Sequence, residues 1–215
     1  MLARALRAVV PPGVAVGAAD PTAPTTGLWP EESAAMARAI PARRREFAAG
    51  RRAARAAMQA LDLPAAAILP GPDRAPVWPD GVIGSISHGG GACLALVARQ
   101  GVITGLGIDL EPAERLPQDM VEAVCTGPEH AAITGHYLLG RVIFCAKEAV
   151  YKAQYPLSHQ TLEFHDLETG IDLAEGQFEA RFTRACPPFQ LGARIVGRIV
   201  IAEGLILAVV VLFAP

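Results

Sequence analysis

The chain has 215 residues and a mass of 22.5 kDa, enough for one large domain or two small ones and for burial of roughly 70% of the unfolded surface. Its 21 Gly and 18 Pro follow no collagen period and form no low-complexity block, which excludes a fibre or a disordered chain, and a net charge of −2 excludes a uniformly basic nucleic-acid binder. Four cysteines without a C-x-x-C pair offer neither a common zinc spacing nor a disulfide framework, and the longest apolar run, ten residues from Leu205, is half a membrane span; a monomeric protein of the reduced cytoplasm is expected.

Along the chain, residues 11–30 are rich in Pro, Gly, Ala and Thr and read as irregular. Helical composition follows from Glu31 to Leu61, divided at Pro41. After it, Phe47, Ala54, Met58 and Leu61 recur at three-to-four-residue spacing as a buried stripe. Pro64 to Asp80 reads as a loop around Trp78. Strands are predicted at Val82–Ser87, Ala92–Arg99 and Val102–Leu110, separated by glycine turns. Pro112 to Gly127 is acidic and turn-prone. A second long helix is predicted from Tyr137 to Tyr155, closed by Pro156. Short strands are expected near Leu162–Phe164 and Gln177–Thr183, then a hairpin from Arg194 to Phe213 across Glu203-Gly204.

The two halves share an order of long helix, loop, strands and terminal hairpin. Cys93–Ala98 and Leu205–Val210 occupy equivalent places in it. The order predicts an α+β fold of two pseudo-symmetric lobes, residues 1–111 and 112–215, each a long helix on a small antiparallel sheet.

The candidate chemistry lies in a few charged positions. Asp109 and Glu111, two apart on a strand, leave the same face and repel unless a cation sits between them; hard oxygen ligands suit Mg²⁺. Glu148 and Lys152 lie one turn apart on the second helix, among Phe144, Val150, Tyr151 and Tyr155. Of 19 basic residues only Lys147 and Lys152 are lysines, so a compact ammonium is wanted at those two places. His88 heads a Gly89-Gly90-Gly91 turn. An esterase oxyanion loop is discarded because no G-x-S-x-G is present; the residues read either as an anion site of Ser, His and glycine amides or as a structural turn. Arg44, Arg51 and Arg55 fall on one face of the first helix, with Arg43 and Arg52 beside it, a pattern suited to bidentate phosphate capture. Together these groups suit a Mg²⁺-dependent reaction on a polyphosphate ligand, without a P-loop or a dinucleotide-binding fingerprint.

In Arg43-Arg-Arg-Glu-Phe-Ala-Ala-Gly-Arg51, Trp78-Pro79, Gly84-Ser-Ile-Ser-His88, Gly107-Ile-Asp-Leu-Glu-Pro112 and Phe144-Cys-Ala-Lys-Glu-Ala-Val-Tyr-Lys152, the sequence resembles the larger, two-half 4′-phosphopantetheinyl transferases. Phe144 departs from the Trp common in that family, at a position that reads as packing. The resemblance implies transfer of the phosphopantetheine arm of coenzyme A to a serine of an apo acyl or peptidyl carrier protein, in siderophore, polyketide or peptide synthesis. It implies Asp109, Glu111 and Glu148 as Mg²⁺ ligands, with Glu129 as a candidate further ligand or water-holder; Glu148 or a metal-bound water would take the serine proton, and Lys152 would neutralise or protonate the departing phosphate. Arg43, Arg51, Arg74, Ser87, His88, Asp109 and Lys152 would contact coenzyme A. A silent coenzyme A or carrier-protein binding module is the alternative, and it would need no base.

Overall fold

The computed structural model describes residues 2–214. Helix α1 spans Leu2–Arg7 and strand β1 Val14–Ala19; α2 (Pro30–Ala35) and the 19-residue α3 (Pro41–Gln59) follow. A minimal hairpin, β2 (Leu69–Pro70) and β3 (Pro76–Val77), precedes β4 (Val82–Gly89), β5 (Ala92–Arg99) and β6 (Ile103–Pro112). Then come α4 (Gln118–Val124), α5 (Gly127–Ala132), α6 (Leu139–Ser158), β7 (Leu167–Asp172), β8 (Gln177–Phe182), β9 (Arg194–Ala202) and β10 (Leu205–Phe213).

Beyond the minimal hairpin, two antiparallel sheets result, β1-β5-β4 and β6-β10-β9-β8-β7. Strands β5 and β10 are apolar without interruption because both of their faces are buried. Ala95 and Val97 of β5 meet Ala53, Ala57 and Met58 of α3, whereas Leu94 and Leu96 face the other sheet. On β10, Ile206, Ala208 and Val210 lie under α6, while Leu205, Leu207 and Val209 join Leu94 and Leu96 in a core shared by the two sheets. The layers are therefore α3, first sheet, second sheet and α6.

Each long helix comes unusually close to its sheet at a glycine. A Cβ on Gly17 of β1 would lie 1.8 Å from the Ala53 carbonyl oxygen, and one on Gly107 of β6 would lie 1.9 Å from that of Ala149. No side chain fits either gap. Small residues there let α3 and α6 lie flat on the strands.

The structure corrects several expectations. Residues 14–19 form a strand rather than irregular chain, its pattern obscured by Gly and Ala. Helix α4 lies in the stretch read as turns. Pro156 does not close α6; it sits in the last turn, and left-handed His159 (φ 52°) ends the helix. Phe164–Asp166 is a 3-10 turn, so the strand expected near residue 163 starts at Leu167. Strand β6, expected in the first half, pairs along its length with β10, so the sheets part at the Gln100-Gly101 turn.

Candidate active site

The edge strands β4 and β6 face each other where the two sheets meet, and serine hydroxyls replace the missing ladder. Ser85 Oγ accepts the Ile108 N–H at 3.1 Å, and Ser87 Oγ donates to Asp109 Oδ1 at 3.0 Å; both serines are buried. Asp109 pairs across the strands with Ala208, and Glu111 with Ile206. Cross-strand partners share a face, so both carboxylates point to the α6 side, where Gly107 has drawn the helix in.

Asp109 is 5% exposed, and its two oxygens differ. Oδ1 accepts from Lys152 Nζ at 2.6 Å as well as from Ser87. Oδ2 is buried with no hydrogen-bond partner. Lys152 also donates to Ile108 O at 3.2 Å and Ser87 Oγ at 3.3 Å. Glu111 Oε2 accepts from Arg141 at 2.9 Å, and Arg141 also donates to Arg115 O at 3.2 Å. Glu148, half-buried, receives no protein donor among the described residues. Burial pushes the Glu148 carboxyl above its ordinary range; Lys152 opposes the shift, and Asp109 and Glu111 reinforce it. Glu111 is likewise raised by burial and by Asp109, against Arg141.

An orphaned buried carboxylate oxygen beside two further acids, all hard oxygen donors, fits a divalent cation such as Mg²⁺. The cage is not closed. Among the described residues, no three Asp, Glu, His or Cys side chains converge as a ready ligand set, and Lys152 and Arg141 stand against Asp109 and Glu111 as counter-charges.

Arg43 lies 2.8 Å from His88 Nε2. A guanidinium can only donate, so Nε2 is the acceptor and the neutral ring carries its proton on Nδ1. Burial holds the His88 pKa below its ordinary value, with Glu46 opposing and Arg43 reinforcing. Arg74 is exposed on the turn between β2 and β3. Its neighbour Asp73 is held below the usual carboxylate range first by the Tyr155 hydroxyl.

Other candidates are used elsewhere. Arg51 is 7% exposed, stacks 3.6 Å over the Phe47 ring and donates Nε–H to Ile68 O; burial lowers its pKa to about 10. It is an inward-facing packing group rather than a member of an open arginine face. Arg44 donates to the Met36 and Ala37 carbonyls. Arg52 holds the Asp20, Pro24 and Thr26 carbonyls, and Arg55 binds buried Glu32 and Gly27 O. These arginines staple residues 20–37 to α3. Glu129 is no free ligand: its oxygens accept from Lys147 (2.7 Å), Thr126 N–H (2.7 Å) and the Thr169 N–H and hydroxyl (2.6 Å each). Sequence reasoning missed Arg141, although it lies seven residues before Glu148 on the same helical face.

Two openings adjoin these groups. A cavity of 130 Å³ beside Glu148 is walled by Tyr151, Leu162, Phe164 and Leu167. A more open groove of 460 Å³ begins at His88. No helix among the described residues is long and apolar enough to cross a membrane.

The acids and the lysine lie together where the two sheets meet, and comparison with known proteins gives the family. Residues 31–98 match the 4′-phosphopantetheinyl transferase N-terminal domain, and residues 105–208 match the 4′-phosphopantetheinyl transferase superfamily. The chain belongs to the 4′-phosphopantetheinyl transferase family. It is 40% identical to the 4′-phosphopantetheinyl transferase Svp of Streptomyces mobaraensis, over 91% of this chain and 82% of that protein. It is 36% identical to PptT of Mycobacterium tuberculosis, over 85% of each. Enterobactin synthase component D of Escherichia coli (strain K12) is 33% identical over 59% of this chain and 62% of that protein.

Proposed function

We propose that this enzyme moves the phosphopantetheine arm of coenzyme A onto a serine of an apo carrier protein, in the presence of Mg²⁺, and releases adenosine 3′,5′-bisphosphate. The observation that carries the reading is the buried, unpartnered Asp109 Oδ2 facing the Glu148 and Lys152 helix at the seam. Asp109, Glu111 and Glu148 would hold Mg²⁺, which when bound would neutralise the diphosphate. Glu148, free of protein donors, would take the serine proton as the hydroxyl oxygen attacks the phosphorus that bears pantetheine. The bond from that phosphorus to the oxygen bridging the two phosphates breaks, and Lys152 would neutralise the departing phosphate. Arg43, Ser87, neutral His88 through Nδ1–H, and Arg74 would hold the phosphates. The cavity beside Glu148, walled by Tyr151, Leu162, Phe164 and Leu167 together with Lys147 and Glu163, would take part of the pantetheine arm.

The close approaches at Gly17–Ala53 and Gly107–Ala149 support reading the halves as related by an approximate twofold, with coenzyme A between them. The similarity to an enterobactin synthase component favours carrier domains of siderophore assembly. Mass spectrometry of an apo carrier domain after incubation with coenzyme A and Mg²⁺ tests the reading. Gain of one phosphopantetheine group, lost in Asp109→Asn, is expected; coenzyme A binding without any mass gain would refute it.

A further inference from the structure

Helix α6 sets three charged side chains on one face. Arg141, Glu148 and Lys152 are seven and four residues apart, spacings that return to the same side of an α-helix. Opposite them, Asp109 and Glu111 leave one face of β6. Lys152 pairs with Asp109 at 2.6 Å and Arg141 with Glu111 at 2.9 Å, so a cation stands at each end with Glu148 between them along the helix. Arg141 is well held: a second donor reaches Arg115 O at 3.2 Å, and the side chain is 13% exposed. Its Nε–H is buried without a hydrogen-bond partner among the described residues, as is Asp109 Oδ2.

A guanidinium in that place works against a metal. It engages one oxygen of a candidate ligand, and its charge repels an incoming cation with little screening from solvent. A site built to take a divalent cation unaided would leave its acids without counter-charges. Here Asp109, Glu111 and Glu148 face Arg141 and Lys152, three carboxylates against two cations, a net charge of −1. A divalent cation would turn that into +1, a surplus that an anion offsets. The charge pattern therefore suits a cation and an anion together better than a cation alone.

We propose that Arg141 is a positioning residue that acts through Glu111 and makes cation binding conditional on the diphosphate. This rests on the reading of the site given above. With metal alone, Arg141 repels it and keeps Glu111 Oε2 for itself. With a diphosphate bound, the phosphate oxygens would offset the charges of Arg141 and Lys152 and add hard donors beside Asp109 Oδ2. Metal and coenzyme A should then bind with positive coupling, and linkage requires each to tighten the other by the same factor. Arg141 sets the size of that factor by weakening the metal-only complex.

The test titrates Mn²⁺ into wild type, Arg141→Gln, Arg141→Met and Arg141→Lys at about pH 8, where carboxylates are ionised. Binding is read from the loss of the free-ion EPR signal, with and without saturating coenzyme A and corrected for Mn²⁺ that coenzyme A binds in solution; unfolding temperatures check folding. Wild type is expected to bind Mn²⁺ at least about tenfold more tightly with coenzyme A than without. In Arg141→Gln and Arg141→Met, Mn²⁺ alone should bind about fivefold more tightly than in wild type, so the enhancement by coenzyme A shrinks. Arg141→Met keeps the stem and deletes the unpartnered Nε–H, so the test survives if the Gln variant fails to fold. Arg141→Lys keeps the charge and should keep most of the enhancement. A merely structural arginine predicts weaker Mn²⁺ binding in all three variants, with and without coenzyme A, and that result would overturn the proposal. An enhancement unchanged in the folded Gln or Met variant would overturn it too. If wild type bound no Mn²⁺ even with coenzyme A, the reading of the metal site would fall and the inference with it; wild type that binds Mn²⁺ equally well with and without coenzyme A would remove only the inference.

Discussion

The chain holds two lysines, and the fold uses them for opposite purposes. Lys147 is 1% exposed and donates to Val124 O (2.7 Å), Glu129 Oε2 (2.7 Å) and Phe164 O (2.9 Å), a pocket of three acceptors that a planar guanidinium would not fill. Burial acts against both charges of this pair. Even so, the Lys147 and Thr169 hydrogen bonds leave the Glu129 pKa below its ordinary 4.5. Removing one partner strands the other, so Lys147→Met should cost about 3–5 kcal/mol, read as a large fall in unfolding temperature. Because folding lowers the Glu129 pKa, its contribution is present above pH 4.5 and is lost as the pH falls through the lowered value. Thermal scans from pH 7 to about pH 3 should therefore show the gap between wild type and Glu129→Gln narrowing in acid; a gap that widens there would contradict the ion pair.

Lys152 is 27% exposed in its side chain and reaches Asp109 and Ser87 across the seam. Lys152→Arg should not restore turnover, because the larger guanidinium cannot take the same line to a phosphate oxygen and does not give up its proton. Comparing kcat for Lys152→Arg and Lys152→Ala decides this; near-wild-type turnover in the Arg variant would reduce Lys152 to a charge.

At the scale of elements, the site depends on how closely α6 lies on β6. A Cβ at residue 107 would overlap the Ala149 carbonyl oxygen, which belongs to helix backbone and cannot swing aside. Gly107→Ala should push α6 outward, with a loss of about 1–3 kcal/mol or more. It should also move Glu148 and Lys152 away from Asp109. Gly17→Ala, with the same clash at α3, should lower stability similarly while sparing the acids. Unfolding temperature and kcat on both variants separate the effects; equal losses of kcat at equal stability would show that helix placement does not tune the acids. The seam itself rests on buried hydroxyls. Ser85→Ala would leave the Ile108 N–H without its acceptor beside Asp109, at a cost of about 1–3 kcal/mol.

Across the whole molecule, the candidate site is built from both sheets. Ser85, Ser87 and His88 come from β4, Asp109 and Glu111 from β6, and Arg141, Glu148 and Lys152 from α6. A ligand bound there stabilises the arrangement by mass action. With Mg²⁺ and coenzyme A near 100 times their dissociation constants, about 2.7 kcal/mol each is expected. Chelation should remove the metal share and also the activity, with both restored by added Mg²⁺. A coenzyme A shift that persists undiminished in Asp109→Asn after chelation would mean that the metal and the ligand do not share the site.

The chemistry-bearing pairs were legible in the sequence because they are local. Period 2 puts Asp109 and Glu111 on one face, and the helical repeat does the same for Glu148 and Lys152. The continuous apolar runs of β5 and β10 were legible too, and so was the division of the first helical region at Pro41. The fate of the arginines was not. Arg44, Arg51, Arg52 and Arg55 donate to backbone carbonyls between 7 and 32 residues away, acceptors that every residue carries and no sequence distinguishes. Glu129 and Glu148 read alike as acids near the same helix; only packing gives one a lysine and a threonine and leaves the other without a donor. Strand β1 was hidden because the glycine that admits α3 interrupts its apolar pattern. Local spacing thus determined which side chains share a face. Tertiary structure decided which charges are consumed by the fold and which remain for a ligand, since charge compensation depends on distance in space rather than along the chain.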